Sequence, residues 1–213
     1  MPLYSIEKVD GEGFLALWEI AETQDQLIKA SSIPDEELEA ILQFPSPRRR
    51  LEQLAVRSLL SQCFTRKQYL GYEENNRPYL KNYPGDISIS HADKFVCILV
   101  HESKYVGIDI EGRRRNFTPV ENKSITDYEQ SYLSYKYRED QLCVIWCAKE
   151  AIYKAMHEQK VEFSRQIEIK KFVPKKEGKL YARFIDSEYD DMDLNLNYRM
   201  VNENYALAWV LRD

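Results

Sequence analysis

The fold of this chain is decided by a short alternating segment, Val106-Gly107-Ile108-Asp109-Ile110-Glu111. Strict alternation predicts a strand, because successive side chains of a strand point to opposite faces of a sheet. We expect the apolar residues to pack the core and the carboxylates of Asp109 and Glu111 to face outward. Two hard oxygen ligands on one face suit Mg²⁺, and Gly107 would leave space for a ligand near the backbone. A polar outer face at a strand end is the simpler alternative.

A second segment, residues 146–154, predicts a helix that carries Trp146, Glu150 and Lys154 on one stripe. Side chains four positions apart are neighbours on a helix surface. Because Trp146 should be buried, we expect Glu150 to lie at a core edge or in a cleft. A partly desolvated carboxylate beside a lysine is a candidate general base. The alternative is an ordinary Glu–Lys pair on a helix surface.

A third motif, Ile87-Ser88-Ile89-Ser90-His91, ends a predicted strand on a hydroxyl and an imidazole. The side chains of Ser90 and His91 could together bind a phosphate at the strand tip. A histidine that only serves a turn is the alternative.

The fourth feature is a set of arginines that could bind anions. Pro78 restricts the backbone of Arg77 in the loop that precedes the strand. Arg48, Arg49 and Arg50 stand at the start of a predicted helix, where backbone amides and the helix dipole also favour anions. Each of these arginines could instead be a solvated surface charge.

The remaining pattern predicts an α+β protein made of two halves, residues 1–103 and 104–213, each with helices on a mostly antiparallel sheet. The first half has predicted strands at 13–20, 86–90 and 95–101, helices at 34–44 (with Ser32 as a possible cap) and 47–69, and a loop at 71–76. The second half has predicted strands at 105–111, 166–173, 179–186, 195–201 and 205–211, a helix at 140–157, and weak helical patterning over 118–139.

Composition limits the classes of function. The chain has 213 residues, of which 44% are hydrophobic and 31% charged, as in folded soluble proteins. No apolar run approaches the roughly 18 residues of a membrane span, and the first residues lack the features of a signal peptide. We therefore expect a cytoplasmic protein with no membrane partner. The net charge of −5 disfavours a nucleic-acid partner.

Taken together, the motifs occur in the order Arg-Pro, Ile-Ser-His, Gly-Ile-Asp-Ile-Glu and Trp-x-x-Lys-Glu-x-x-x-Lys. This order and spacing resemble the 4′-phosphopantetheinyl transferases, specifically their larger, Sfp-like type. The resemblance covers residues 48 to 154. Two positions depart from the family pattern, Asn76 before the Arg-Pro pair and Ala92 after the Ser-His pair, and both belong to the nucleotide end of the site.

The resemblance implies the 4′-phosphopantetheinyl transferase fold, a pseudo-twofold monomer of two similar halves. It implies transfer of phosphopantetheine from coenzyme A to a serine of an apo acyl or peptidyl carrier protein. Mg²⁺ would be held by Asp109, Glu111 and Glu150, with Glu150 also the base and Lys154 neutralising charge on the phosphates. The coenzyme A nucleotide would be bound by Arg48, Arg49, Arg77, Ser90 and His91.

Carriers of this family are typically acidic, so we expect docking on basic residues near the metal strand, Arg113 to Arg115 and Lys123. Two other functions stay open. An Asp-x-Glu strand and a Glu-x-x-x-Lys helix can also build a metal-dependent nuclease or phosphodiesterase site, although the net charge disfavours it. The second is a non-catalytic module that retains the fold and binds coenzyme A.

Overall fold

The structure is a computed structural model that describes residues 3–31, 33–157, 160–185 and 190–213. Contacts within the chain divide it into two compact units, Met1–Ser103 and Lys104–Asp213. In the described ranges, no helix combines the length and apolar character needed to cross a membrane. The predicted cap at Ser32 lies outside the described residues.

The first unit packs helices on a four-stranded antiparallel sheet with the order β1-β2-β6-β5. Its elements are β1 (Leu3–Val9), β2 (Gly13–Glu19), α1 (Gln24–Ser31), α2 (Asp35–Leu42), α3 (Pro47–Cys63), β3 (Leu70–Tyr72), β4 (Pro78–Leu80), β5 (Asp86–Ala92) and β6 (Phe95–His101). Buried side chains of α3 such as Leu54 and Leu59 form one core cluster with Trp18, Ile98 and Val100 of the sheet. The central helix of the unit is therefore held by apolar packing on one sheet face.

The boundaries of α3 follow from local chemistry. The hydroxyl of Ser46 accepts a hydrogen bond from the backbone N–H of Arg49 at 3.3 Å, and Pro47 occupies the first turn. The helix ends at Cys63, six residues before the predicted end at 69, and Phe64 is already extended. Residues 65–68 are polar and cannot continue the buried stripe, so the chain leaves the helix there.

Three elements of the first unit were not predicted: the edge strand β1, the helix α1 and the short hairpin β3–β4. The predicted loop at 71–76 forms part of that hairpin, in which Gly71 pairs with Tyr79. A Cβ atom at Gly71 would lie 2.5 Å from the Tyr79 ring, so glycine is required for the ring to cross the strand. Asn76 has a positive φ of 65°, which asparagine tolerates better than most residues.

The second unit packs helices on a five-stranded antiparallel sheet with the order β7-β11-β10-β9-β8. Its elements are β7 (Tyr105–Gly112), α4 (Thr118–Ser124), α5 (Asp127–Tyr132), α6 (Arg138–Met156), α7 (Phe163–Gln166), β8 (Ile167–Ile169), β9 (Glu177–Phe184), β10 (Met192–Val201) and β11 (Tyr205–Arg212). The predicted α+β class is confirmed. The weakly patterned region 118–139 contains two short helices, α4 and α5, because Pro119 and the Thr126 capping box start them separately.

The contact of α6 with β7 corrects two expectations about the metal strand. A Cβ atom at Gly107 would lie only 1.8 Å from the carbonyl oxygen of Ala151, so this glycine lets the helix approach the sheet rather than a ligand. The strand face that carries Gly107, Asp109 and Glu111 is therefore turned toward α6, not outward. The intervening apolar residues, such as Ile108, are buried as well.

Candidate active site

Strand β7 and helix α6 bring two of the predicted site residues into direct contact. The Lys154 Nζ atom donates to Asp109 Oδ1 at 2.8 Å and to the carbonyl oxygen of Ile108 at 3.0 Å. Asp109 is only 5% exposed. Lys154 thus reaches across from the helix to the strand.

Glu111 is held by two groups, one of which the sequence analysis did not place in the site. The Trp146 indole Nε1–H donates to Glu111 Oε1 at 2.9 Å, and the Arg115 guanidinium forms an ion pair with the same oxygen. Arg115 also lies over the rings of Trp146 and Phe117, at 5.8 and 5.4 Å from their centroids. The sequence offered one indication of this role, namely that Arg115 stands four residues after Glu111 and two before an aromatic residue.

The electrostatics of Glu150 tie it to the same cluster. Burial raises the pKa of Glu150 from its ordinary value of 4.5 to about 7, and repulsion from Asp109 and, more weakly, Glu111 adds to the rise. The cations of Lys154 and Arg115 oppose it. A carboxyl group with a pKa near 7 can accept a proton efficiently at neutral pH. Glu150 is therefore a candidate general base.

The donor set fits a hard divalent cation by its chemistry. Asp109 and Glu111 are near enough to Glu150 that repulsion from them helps to raise its pKa. A divalent cation would remove that repulsion, and carboxylate oxygens are the ligands that Mg²⁺ prefers. As the side chains stand, no three His, Cys, Asp or Glu residues of the described chain converge as a metal-binding group. Asp109 and Glu111 instead contact Lys154, Arg115 and Trp146.

In the first unit, a buried glutamate that the sequence analysis missed gathers three predicted residues. Glu52 is 4% exposed. Its Oε1 atom lies 3.0 Å from Arg48 Nε and 3.3 Å from His91 Nδ1, and its Oε2 atom lies 3.4 Å from Arg49 Nη1. Arg49 Nη1 also lies 2.5 Å from His91 Nε2. Because Arg49 can only donate, this arrangement assigns the proton of a neutral His91 to Nδ1, which faces Glu52.

The other predicted residues of the first unit are placed differently. Arg77 Nη2 pairs with Asp86 Oδ1 at 2.5 Å. Arg50 turns away from Glu52, donating to the carbonyl oxygen of Phe44 at 2.7 Å. Ser90 is buried on the face of β5 opposite to His91, because neighbouring residues of a strand alternate. The structure therefore joins Arg48, Arg49 and His91 into one cluster and leaves Ser90 outside it.

The comparison with protein families locates a match on the second unit. Residues 105–210 match the model of the family described as the 4′-phosphopantetheinyl transferase superfamily. The match runs from β7 to β11 and includes Asp109, Glu111, Glu150 and Lys154. A search of curated proteins found no match.

Proposed function

Because this chain belongs to the 4′-phosphopantetheinyl transferase superfamily, we propose that it transfers 4′-phosphopantetheine from coenzyme A to a serine of an apo acyl or peptidyl carrier protein. The products are holo carrier and adenosine 3′,5′-bisphosphate. The observation that carries the proposal is the cluster on β7 and α6, in which Lys154 contacts Asp109 at 2.8 Å and Trp146 contacts Glu111 at 2.9 Å, both from the helix that also carries Glu150.

The transfer exchanges one phosphorus–oxygen bond for another. The serine Oγ atom forms a bond to the β-phosphorus of coenzyme A, and the bond from that phosphorus to the bridging pyrophosphate oxygen breaks. The bridging oxygen keeps the electron pair and leaves with the adenosine bisphosphate. The serine proton goes to the Glu150 carboxylate, directly or through water.

The residues of the second unit divide this work. Asp109, Glu111 and Glu150 would hold Mg²⁺, which when bound supplies charge neutralisation on the pyrophosphate oxygens. The Lys154 ammonium, positioned by Asp109 at 2.8 Å, neutralises charge on the phosphates and helps the leaving group. Phosphoryl-type transfer is catalysed mainly by such positioning and electrostatic stabilisation.

The residues of the first unit would bind the adenosine bisphosphate end of coenzyme A. Arg48 and Arg49 present guanidinium groups beside His91, and Arg77 lies in the neighbouring hairpin. Charge-assisted hydrogen bonds to phosphate are among the strong polar contacts in proteins. Ser90 stays part of this proposal by motif match alone.

The test is the intact mass of apo carriers after incubation with coenzyme A and Mg²⁺. We expect at least one carrier of a broad fatty-acid, polyketide and peptide panel to gain one phosphopantetheine mass, and the gain to disappear with a chelator. The Glu150→Gln variant serves as the matched control for a contaminating transferase. A panel that stays unmodified with fresh coenzyme A would refute the proposal.

A further inference from the structure

Lys149 stands next to Glu150 in the helix motif, yet the proposed reaction gives it no role. Its side chain is fully buried, with 0% exposure. The Nζ atom contacts four oxygens, namely Ser124 O at 2.5 Å, Ile167 O at 2.7 Å, Glu129 Oε2 at 2.7 Å and Phe163 O at 3.1 Å. One ammonium group thus ties α6 to the end of α4, to α5, to the start of α7 and to β8.

The partner carboxylate is equally buried and equally satisfied. Glu129 is 0% exposed, its Oε2 accepts from the backbone N–H of Thr126 at 2.8 Å, and its Oε1 accepts from that of Ile169 at 2.8 Å. A buried ion pair is often no more stabilising than well-packed apolar residues of the same volume. Stability alone is therefore a weak reason for placing this pair in the core. A positioning role for the pair is the alternative.

A continuous set of contacts leads from Lys149 to the candidate metal ligand Glu111. Lys149 holds the backbone carbonyl of Phe163, whose ring packs against Trp146 with centroids 5.6 Å apart and against Tyr153 at 5.7 Å. The indole of Trp146 then donates to Glu111 Oε1 at 2.9 Å.

We propose that Lys149 is a positioning residue of the metal site, which orients Glu111 through Phe163 and Trp146. The inference rests on the proposed function only in treating Glu111 as a ligand of Mg²⁺. Outer-shell groups that orient ligands typically contribute about 10–100-fold to metal affinity. A residue that only stabilised the fold would contribute to the unfolding midpoint and not to metal affinity.

The experiment measures Mn²⁺ binding to the protein alone by electron paramagnetic resonance. Mn²⁺ shares the preference of Mg²⁺ for carboxylate oxygens, and its free form gives the signal. The test variant is Glu129→Gln/Lys149→Met, because removing both partners avoids leaving one charge buried and unpaired. We expect Mn²⁺ affinity to fall about 10–100-fold. Leu180→Ala, a core change on β9, controls for general destabilisation and should leave Mn²⁺ affinity unchanged.

A second variant tests whether the effect passes through Phe163. Phe163→Ala should lower Mn²⁺ affinity by a similar factor, and adding it to the double variant should cause little further loss, because contacts in one chain are not additive. Three results would each overturn the inference. They are an unchanged Mn²⁺ affinity in the double variant, an equal loss of Mn²⁺ affinity in Leu180→Ala, and fully additive losses when Phe163→Ala is combined with the double variant. Failure of the parent protein to bind Mn²⁺ removes its premise. Intact Mn²⁺ binding with unmodified carriers would refute the proposed function and leave the Lys149 inference standing.

Discussion

The two units share an architecture and differ in the charges around one glutamate. Each packs a long helix on an antiparallel sheet, and each carries a glutamate of that helix close to other ionisable side chains. The carboxylate of Glu52 in α3 contacts the guanidinium groups of Arg48 and Arg49 and the imidazole of His91. Glu150 of α6 is influenced most by burial and by other carboxylates, which raise its pKa to about 7.

This difference indicates how one fold class can serve two ligands of opposite charge. A carboxylate that holds several cations together leaves an excess of positive charge, which suits a phosphate. A group of carboxylates leaves an excess of negative charge, which suits a divalent cation. The helix-on-sheet scaffold is common to both units, so the assignment of function depends on the side chains at the site.

The largest effects are expected within the carboxylate cluster of the second unit. Glu150→Gln cannot accept a proton, and a positioned base contributes about 10²–10⁴-fold in rate, so kcat should fall by that factor at every Mg²⁺ concentration. Asp109→Asn removes one anionic ligand, so activity should return in part at high Mg²⁺. The measurement is kcat against Mg²⁺ concentration for both variants. Full rescue of Glu150→Gln would make Glu150 a ligand only.

The same cluster should make stability depend on pH in a chelating buffer. The raised pKa of Glu150 means that the folded state holds its proton more tightly than the unfolded state. The stabilisation is therefore complete below pH 4.5 and lost as pH rises through about 7, by up to about 3 kcal/mol. Denaturant unfolding of the parent and Glu150→Gln measures this, with the exposed Glu162→Gln as control. A parent curve no steeper than that of Glu150→Gln would contradict the assignment.

A smaller effect is expected in the cluster of Arg48, Arg49 and His91 around Glu52 in the first unit. His91→Ala should weaken coenzyme A binding about 10–100-fold, because a charge-assisted bond contributes roughly 1.5–3 kcal/mol, and should weaken dephospho-coenzyme A binding less. Arg50→Ala is the matched control, since Arg50 contacts Phe44 and Gln24 instead of the cluster. Calorimetry with both ligands measures the difference. Equal losses for the two ligands would separate His91 from the 3′-phosphate.

The smallest effect concerns carrier docking. The structure favours two of the four predicted basic residues for this test. Arg113 pairs with Asp140 and Arg115 pairs with Glu111, and the remaining two basic residues, Arg114 and Lys123, are exposed. Charge reversal at both exposed positions should raise the KM for an acidic carrier a few-fold at low salt.

The effect of that reversal should fade as salt shortens the Debye length, which is about 10 Å at 0.1 M. The KM for coenzyme A should stay nearly constant. Reversal of the exposed Arg165 provides the control. A carrier KM that does not respond to Arg114→Glu/Lys123→Glu at low salt would place docking elsewhere.

Much of the second unit could be predicted because its patterns are strong and local. The alternation around Asp109 predicts strand β7, and the spacing of Trp146, Glu150 and Lys154 predicts helix α6. The direction of the strand face could not be predicted, because apolar residues are buried on one side and Gly107 meets a helix on the other. Alternation predicts two faces but not which face a helix covers.

The first unit was predicted less well because its decisive contacts join distant residues. Glu52 has no distinctive neighbour in sequence, and its contact with His91 spans 39 positions. The hairpin β3–β4 consists of two strands of three residues each, too short for a periodic signal. Arg115 was predicted only as a docking residue, because an arginine four residues after a glutamate is common, and only the stacked aromatic rings distinguish it as part of the site.

Coenzyme A binding is thus assigned to the first unit and catalysis to the second. The most direct test of this assignment is a steady-state kinetic comparison of Arg49→Ala with Glu150→Gln. We expect Arg49→Ala to raise the KM for coenzyme A with kcat nearly unchanged, as for a contact made equally in ground and transition states. We expect Glu150→Gln to lower kcat by about 10²–10⁴-fold with little change in that KM. A Glu150→Gln variant that keeps its kcat and loses only coenzyme A affinity would contradict the account.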